Sequence, residues 1–251
     1  MSRLDDNADS GLNSGLNSVG AINNACEEPI DHKLKKDNEQ NSVDNEDDDT
    51  KRATSKEVPI DGEQLIDWIN SRRSVGNLNE PAPSRRQIEA AIACGATAPD
   101  HKKIRPWRFI VTEGDARLEL GRALVAAAQA KARQEGETLS EKTLKKTQEM
   151  PLRAPTIITV VTQMKAHKKV PPFEQMLSAG AAVQNLILAL KAQGFSTVWR
   201  TGLLCNEPAV KAYFDVGADD YVTAFVYTGT SPSEKAVRKP IDIEPLSRFE
   251  S

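Results

Sequence analysis

The sequence predicts a layered domain of helices and strands, of the α+β or α/β class. Four short apolar runs have the composition of strands, and a helical pattern separates each run from the next. No run approaches the length of apolar sequence that a membrane span needs. The 251 residues, with 39% hydrophobic residues and a net charge of -3, fit one folded domain that carries an appendage.

The first sixty residues differ in composition from the rest of the chain. They contain 7 Lys and Arg against 14 Asp and Glu, and they contain no aromatic residue. A segment this acidic and this poor in large apolar side chains cannot bury enough surface to offset its chain entropy. We therefore interpret residues 1–60 as a disordered acidic extension and residues 61–251 as the folded domain. The acidic run over 44–52 is typical of a solvated tail and not of a metal site.

The folded part opens with two predicted helices. In GEQLIDWINS the apolar residues lie near helical spacing, which predicts a helix over 62–71. Ser84 and Gln87 form a capping-box pattern ahead of IEAAIACGA. This pattern predicts a second helix that ends near Gly95.

A cationic loop and a strand follow. The loop APDHKKIRPWRF, at 98–109, is bracketed by Pro99 and Pro106, so we do not expect it to be regular helix. Its end overlaps the run WRFIVT, which is rich in strand-forming residues and predicts a strand over 107–112.

The middle of the domain predicts two more helices and a second strand. Asp115 is expected to cap a long Ala-rich helix that reaches about Gln134. A polar helix is expected over 140–150. The continuous apolar run in APTIITVVTQ, at 154–163, predicts a strand that is buried on both faces.

The last third predicts one dominant helix, two strands and a short helix. The helix over 173–194 is apolar nearly all round and must therefore be buried on every face, with Gly194 as its C-cap. STVWRTG, at 196–202, predicts a third and buried strand. Asn206 is expected to cap a short helix, and YVTAFVYTGT, at 221–230, predicts the fourth strand.

Several common motifs are absent from the sequence. It contains no GxGxxG, no GxxxxGK[ST], no HExxH, no GxSxG and no metal-spaced cluster of Cys and His. This disfavours an ordinary dinucleotide-binding Rossmann domain, a P-loop NTPase and a zinc enzyme. Cys26, Cys94 and Cys205 form no CxxC pair, and no secretory or transit segment is visible at the N-terminus. We expect a cytoplasmic protein that does not enter a membrane.

Three cationic segments are candidate binding sites. Arg72 and Arg73 stand beside Ser74 at the end of the first helix. Adjacent guanidinium groups and a hydroxyl can bind phosphate, although cations also stabilise helix C-termini without any ligand. His101 lies among lysines in the stiffened loop, which favours an anion or ligand contact over a purely structural role.

The third segment is VWRTG, at the end of the third predicted strand. Trp199 and Arg200 are followed there by Thr201 and a glycine. Packing of the tryptophan in the core and contact with a ligand are both open at this point.

In this order, the motifs INSRRS, APDHK…PWRF, RAPTIITVV and QGF…WRTG resemble the nitroreductase family of FMN flavoproteins. The resemblance is strongest to the small, single-domain NAD(P)H nitroreductases of that family, and it runs from about Gln64 to Gly229. It implies an α+β fold with a central sheet flanked by helices. It also implies a homodimer that binds FMN at the subunit interface.

The resemblance assigns roles to residues of this sequence. It implies FMN contacts from one subunit by Arg72, Arg73, Ser74, Trp199, Arg200 and Thr201, and from the partner subunit by Thr97 and His101. Further phosphate charge could come from Lys235, Arg238 and Lys239. A nicotinamide contact is implied for Ala189, Leu190, Lys191, Ala192, Gln193 and Gly194. We assign no side chain as a catalytic acid or base, because the flavin carries the chemistry, and we assign no metal.

The function that the resemblance implies is FMN-dependent oxidation of NADH or NADPH. Hydride would pass through flavin N5 to a nitroaromatic, quinone or similar electron-poor small molecule. Two alternatives remain open: a flavin-binding or flavin-modifying protein of the same fold without NAD(P)H turnover, and a nucleic-acid-binding module. The second is disfavoured because residues 61–251 carry 26 basic against 22 acidic residues and few aromatics.

Overall fold

The computed structural model describes residues 60–234 and 236–250. The predicted disordered extension therefore lies outside the described residues except for Ile60, and so do Cys26 and Lys235. No helix in the described part of the chain is both long and apolar enough to cross a lipid bilayer.

Ten helices and strands and three short 3₁₀ turns make up the described fold. They are α1 (Gly62–Asn70), α2 (Arg85–Gly95), β1 (Trp107–Glu113), α3 (Ala116–Gln134), α4 (Glu141–Gln148), β2 (Thr156–Thr162), α5 (Pro172–Ala192), β3 (Ser196–Arg200), α6 (Pro208–Tyr213) and β4 (Tyr221–Gly229). The 3₁₀ turns are His101–Lys103, Met150–Arg153 and Glu244–Leu246. Every predicted helix and strand is confirmed, with ends that differ by a few residues.

The four strands form one antiparallel sheet in the order β1-β2-β4-β3. Every residue of β2 is buried, which confirms the prediction for this strand. β3 lies at an edge of the sheet, and only Thr197 among its five residues is buried. The prediction that β3 is a buried strand is therefore wrong. An apolar composition cannot distinguish a central strand from an edge strand.

Helices cover both faces of the sheet. On one face, Ile158 and Val160 of β2 pack against apolar residues of α2 and α5. On the other face, Ile157 and Val161 pack against α3 and α6. The alternation of these neighbours follows from the period-2 geometry of a strand and gives helix, sheet and helix layers. The predicted α+β class with a central sheet flanked by helices is confirmed.

The helix caps match the predictions only in part. At α2 the reciprocal bonds of the capping box join Ser84 and Gln87, as predicted. Asp115 precedes α3 in helical backbone geometry and makes no side-chain cap, so that prediction is wrong. The prediction for Asn206 is also wrong, because its side chain accepts from the N–H of Val222 (2.8 Å) and donates to the same residue's carbonyl (3.3 Å). Asn206 thus fastens a loop to β4 and leaves α6 uncapped.

Helix α5 is not buried on every face within one chain. Its inner face is fully buried against the sheet, as at Leu186 and Leu190. Phe173 and Leu177, however, are 69% and 58% exposed. The expectation of burial all round is therefore wrong for the single chain, and it leaves an apolar strip on the outer face of α5.

Candidate functional site

A groove of about 1440 Å³ lies where α1 and α5 end and β3 begins. The C-terminal segment after β4 forms its opposite wall. Among residues 60–234 and 236–250, five cations line it: Arg72, Arg73, Lys191, Arg238 and Lys239. The structure thus brings the arginine pair of the first segment together with two of the C-terminal cations and with a lysine of α5.

The backbone explains why Arg72 and Arg73 face this groove. Helix α1 stops at Ser71, and the chain then runs outward to the edge of the sheet. There Ser74 forms a parallel bridge with Thr197, and Val75 N–H donates to the carbonyl of Thr197 at 2.9 Å. The two arginines occupy the short link between the helix end and this bridge, so both sides of the link are fixed.

Lys191 joins the ends of α5 and α1. Its Nζ donates to Ser71 Oγ at 2.6 Å and to the carbonyl of Trp68, and it lies 4.0 Å from the centroid of the Trp68 ring. Partial burial, followed by repulsion from Arg72, lowers the pKa of Lys191 below its ordinary value. The ammonium is therefore held beside a second cation.

The groove has an excess of positive charge. Within residues 60–234 and 236–250, none of the five cations lies within 4.0 Å of a carboxylate oxygen. Asp67 and Glu234 are the acidic side chains among the described lining residues. Arg238 Nη2 donates to the carbonyl of Arg72 at 3.0 Å, which keeps the two guanidinium groups in the same region. Such a cluster is suited to bind a multiply charged anion.

Arg200 and Trp199 stand next to each other at the edge of the sheet. Arg200 Nη2 donates to the carbonyl of Gly76 at 3.2 Å, while its buried Nε has no hydrogen-bond partner in the described structure. Trp199 is 38% exposed, and its Nε1 donates to the carbonyl of Thr223 at 3.3 Å. Of the two interpretations of Trp199 left open by the sequence, this partly exposed position fits a ligand contact better than core packing. Thr201 is exposed beside them.

His101 lies in a different region from the arginine pair. Its Nδ1 is 2.7 Å from Glu174 Oε2, in the first turn of α5. Lys191 is in the last turn of the same helix, so the two ends are about 25 Å apart at 1.5 Å per residue. Within one chain, His101 and Arg72 are therefore at opposite ends of α5. Thr97 is exposed, and its hydroxyl donates to the carbonyl of Cys94 at 2.7 Å.

The six residues predicted to contact nicotinamide are placed differently from one another. Only Lys191 lines the groove. Leu190 is fully buried in the core, which leaves its side chain no surface for a ligand. Gln193 Nε2 donates to the carbonyls of Gln87 and Ala189. Gly194, with φ of +88°, follows the C-cap of α5.

Sequence reasoning missed Glu174 as a site residue, and it missed the contacts that Lys191 makes with α1. Glu174 was not recognised as the partner of His101, because the two are 73 positions apart and only the fold brings them together. Lys191 was predicted as a nicotinamide contact, and its contacts with α1 were not foreseen. A lysine in the last turn of a helix is common for electrostatic reasons, so no local signal distinguishes this one.

Exposed apolar side chains surround the two regions. On α1, Leu65, Ile66 and Ile69 are 40%, 60% and 41% exposed. On α5, Phe173 and Leu177 form the apolar strip described above. Apolar surface on this scale, outside any core, marks a face that another protein chain can cover.

Comparison with known proteins identifies similar sequences and folds. A sequence profile described as "Nitroreductase family" matches residues 69–230. "Putative NAD(P)H nitroreductase YdjA" of Escherichia coli K12 is 39% identical over 171 residues, which cover 68% of this chain and 90% of that protein. In both structural comparisons that follow, the identity is low and the likeness concerns the fold.

A nitroreductase-like family protein from Bacillus cereus superposes with a TM-score of 0.64 at 18% identity, covering 78% of this chain and 99% of the other. The FMN-dependent nitroreductase NfnB of Mycobacterium smegmatis, solved in complex with NADPH, gives a TM-score of 0.60 at 17% identity. That match covers 76% of this chain and all of NfnB.

Proposed function

This chain belongs to the nitroreductase family, and from that premise we propose that it is an FMN-dependent NAD(P)H oxidoreductase. Its acceptors would be nitroaromatics, quinones or similar electron-poor small molecules. The relative from E. coli is named as an NAD(P)H nitroreductase, and the structural neighbour NfnB binds NADPH and depends on FMN. These names support FMN and NAD(P)H as the cofactors of this chain.

The observation that carries the proposal is the cluster of uncompensated cations in the groove. A phosphate monoester carries close to two negative charges and accepts bidentate hydrogen bonds from guanidinium groups. Arg72, Arg73 and Ser74 would hold the FMN phosphate there, and Arg238 adds charge from the opposite wall. The groove is also larger than the 300–1,000 Å³ or so typical of small-molecule sites, so it has room for a second ligand beside the flavin.

The remaining predicted FMN contacts also fit a flavin. Trp199 offers a partly exposed ring, and the unpaired buried Nε of Arg200 lacks a hydrogen-bond acceptor that a ligand would supply. Thr201 is exposed beside them. The flavin, when bound, supplies the hydride-transfer chemistry. Arg200 would hold positive charge next to it, which stabilises negative charge that develops on the ligand during reduction.

We further propose that the protein acts as a homodimer. The exposed apolar side chains of α1 and α5 supply a face for a second copy of the chain. The separation of His101 from Arg72 along α5 supports a groove that is completed by His101 and Thr97 of the partner subunit. Nicotinamide would enter the same groove near Lys191, where the cations can also contact its phosphates.

An anaerobic stopped-flow experiment tests this function. The purified protein, loaded with FMN, is mixed with NADPH and separately with NADH, and the flavin absorbance is followed. We expect rapid bleaching with at least one nicotinamide, and recovery of the absorbance when a quinone or nitroaromatic is added. If neither nicotinamide bleaches the flavin, the protein binds or modifies flavin without NAD(P)H turnover. If the protein binds no flavin at all, the assignment of the groove is wrong.

A further inference from the structure

The imidazole of His101 is oriented by a carboxylate. Glu174 Oε2 lies 2.7 Å from His101 Nδ1, and because a carboxylate can only accept, Nδ1 carries the proton of this bond. In the described part of the chain no protein atom is hydrogen-bonded to Nε2. Both side chains keep a little under half of their surface exposed, at 47% and 41%. The ring is therefore held at one nitrogen and free at the other.

The loop that carries His101 is fixed to the rest of the fold. Lys165 Nζ donates to the carbonyls of Ile104 at 2.6 Å and of Arg105 at 3.1 Å. The carboxylate of Asp100 accepts from the N–H of Arg105 at 2.5 Å. These bonds hold the segment directly after His101.

The same segment has a strained backbone. Lys102, Lys103 and Arg105 have φ values of 64°, 51° and 47°, which residues with a side chain rarely adopt. Strain of this kind concentrates where a functional group is presented. From the other side, Ser178 Oγ donates to the carbonyl of Pro99 at 2.7 Å. The loop thus presents His101 in one defined position.

We propose that His101, positioned by Glu174, is a catalytic residue that protonates the electron acceptor in the groove of the partner subunit. This proposal rests on the function proposed above. It gives the reaction an acid that the flavin does not supply. Glu174 is the positioning residue, because it contacts the imidazole and not the acceptor.

Two donors, NAD(P)H and His101, together supply the electrons and protons that the acceptor takes up. Reduction of a quinone to its hydroquinone needs two electrons and two protons. NAD(P)H supplies a hydride, which is two electrons and one proton, by way of the bound flavin. The second proton moves from Nε2 of the His101 imidazolium to an acceptor oxygen as the N–H bond breaks and the O–H bond forms. The neutral imidazole keeps its Nδ1–H on Glu174 and regains a proton at Nε2 from water.

Cationic side chains and two carboxylates surround His101. Lys102 and Lys103 are its exposed neighbours in sequence. Lys165 is directed at backbone carbonyls, and the carboxylate of Asp100 is occupied by a backbone N–H. The Glu174 carboxylate is the negative group in direct contact with the ring.

The test compares two acceptors that differ in their need for a proton. A quinone takes up two electrons and protons, whereas hexacyanoferrate(III) takes up single electrons and no proton. For His101→Gln, with rates expressed per bound flavin, we expect kcat with the quinone to fall about a hundredfold. Glu174→Gln should lower the same rate at least about tenfold. Turnover with hexacyanoferrate(III), per bound flavin, should fall much less than the quinone rate in both variants.

Two substitutions serve as matched controls. His167→Gln removes another histidine whose Nδ1 accepts a local backbone bond from Lys169, and it should leave both acceptor rates unchanged. Glu89→Gln removes a carboxylate that pairs with Arg85 on the surface of α2, and it should also leave both rates unchanged. Equal losses with both acceptors, or no loss with either, would overturn the proton-donor role while leaving the oxidoreductase function in place. Absence of turnover with both acceptors in the wild type would overturn the two proposals together.

A measurement on the flavin-free protein tests the positioning role without any turnover. His101 is one of three histidines in the chain, so its imidazole ¹⁵N signals can be assigned with the His101→Gln variant. We expect the wild-type ring to show a proton fixed at Nδ1, and Glu174→Gln to shift the Nδ1 signal and allow exchange between tautomers. If Glu174→Gln leaves the imidazole signals of His101 unchanged, Glu174 does not position the ring.

Discussion

The ammonium of Lys191 lies over the indole ring of Trp68, with Nζ 4.0 Å from the ring centroid and 2.6 Å from Ser71 Oγ. This one side chain connects the last turn of α5 to the last turn of α1. It also satisfies the Trp68 carbonyl, one of the backbone groups that a helix leaves unpaired at its C-terminus. The position of the Arg72–Arg73 link therefore depends on a residue more than a hundred positions away.

Lys191→Met should destabilise the fold. The change removes a cation–π contact worth about 0.5–1 kcal/mol and two hydrogen bonds worth about 1 kcal/mol each, so we expect the free energy of unfolding to fall by about 2.5–3 kcal/mol. Urea denaturation measures this loss. Lys145→Met, on the exposed face of α4, is the matched control and should change stability by less than about 0.5 kcal/mol. Equal effects of the two changes would contradict an anchoring role for Lys191.

Arg72→Ala should weaken the binding of FMN much more than the binding of riboflavin, which lacks the phosphate. Loss of one charge-assisted contact is worth about 1.5–3 kcal/mol, or roughly ten- to a hundredfold in affinity. Fluorescence titration of the flavin-free protein with each ligand gives the two dissociation constants. Arg86→Ala, at an exposed position of α2, should change neither value. A similar loss for both flavins would exclude a phosphate contact by Arg72.

Two impaired chains should complement each other in a mixed dimer. If His101 serves the partner's groove, a heterodimer of His101→Ala and Arg72→Ala has one groove with both lesions and one with neither. We expect its activity to approach half of the wild-type value. Tandem affinity tags isolate the heterodimer, and each homodimer variant serves as the control. No recovery on mixing would place both residues in one groove of one chain.

Gly121→Ala should lower the stability of the fold, although a Gly→Ala change within a helix usually raises it. A Cβ at this position of α3 would overlap the backbone carbonyl oxygen of Gln148, which cannot rotate away. Overpacking of this kind costs about 1–3 kcal/mol, enough to lower Tm by several degrees in calorimetry. Gly62→Ala is the control, because a Cβ added there would meet no heavy atom within 4 Å and alanine favours a helix. If Gly121→Ala left Tm at the wild-type value, the close approach of α3 to α4 would be wrong.

The stability of the protein should fall at alkaline pH through Tyr227. Burial raises the pKa of Tyr227 to about 12, against the opposite effect of Arg200 and Arg153. Between pH 10 and about 12 the folded state keeps a proton that the unfolded state loses, so the free energy of unfolding falls by up to about 1.4 kcal/mol per pH unit. The stabilisation is complete below the unfolded pKa of about 10 and is lost through the folded value.

Tyr227→Phe should flatten this decline. Urea denaturation of the variant and the wild type at pH values on both sides of about 10 measures the difference in slope. Tyr221→Phe, at the exposed end of the same strand, is the matched control. An identical slope for wild type and Tyr227→Phe would show that other groups cause the alkaline loss.

The sequence predicted what depends on local pattern. Helical spacing and strand composition located every helix and strand, and the capping box of Ser84 with Gln87 was predicted correctly. Side chains that bond to distant partners were not predictable in this way. Asn206 has the composition of a cap, but the fold offers it the backbone of Val222 instead. β3 has the composition of an apolar strand, and only the order of strands in the sheet makes it an edge.

The candidate site shows the same division between features that a local pattern predicts and contacts that only the fold creates. The arginine pair is visible as a motif, and the structure places Arg238 and Lys239 with it in one groove. The contact between His101 and Glu174 joins two segments that neither composition nor spacing relates. Leu190 lies within the segment to which the family resemblance assigns the nicotinamide contact. Its position on the inner face of α5, however, buries its side chain in the core. Such outcomes depend on which face of α5 meets the sheet.

Helix α5 carries Glu174 at its start and Lys191 at its end, and in the proposed dimer these ends belong to different grooves. Damage to one copy of this helix is therefore not confined to one groove. In a cell that makes a normal and a damaged version of the chain, most dimers contain at least one damaged helix, and each of these has two impaired grooves. A change that disrupts both ends of α5 would for this reason act dominantly, whereas one confined to His101 or to Arg72 would be recessive.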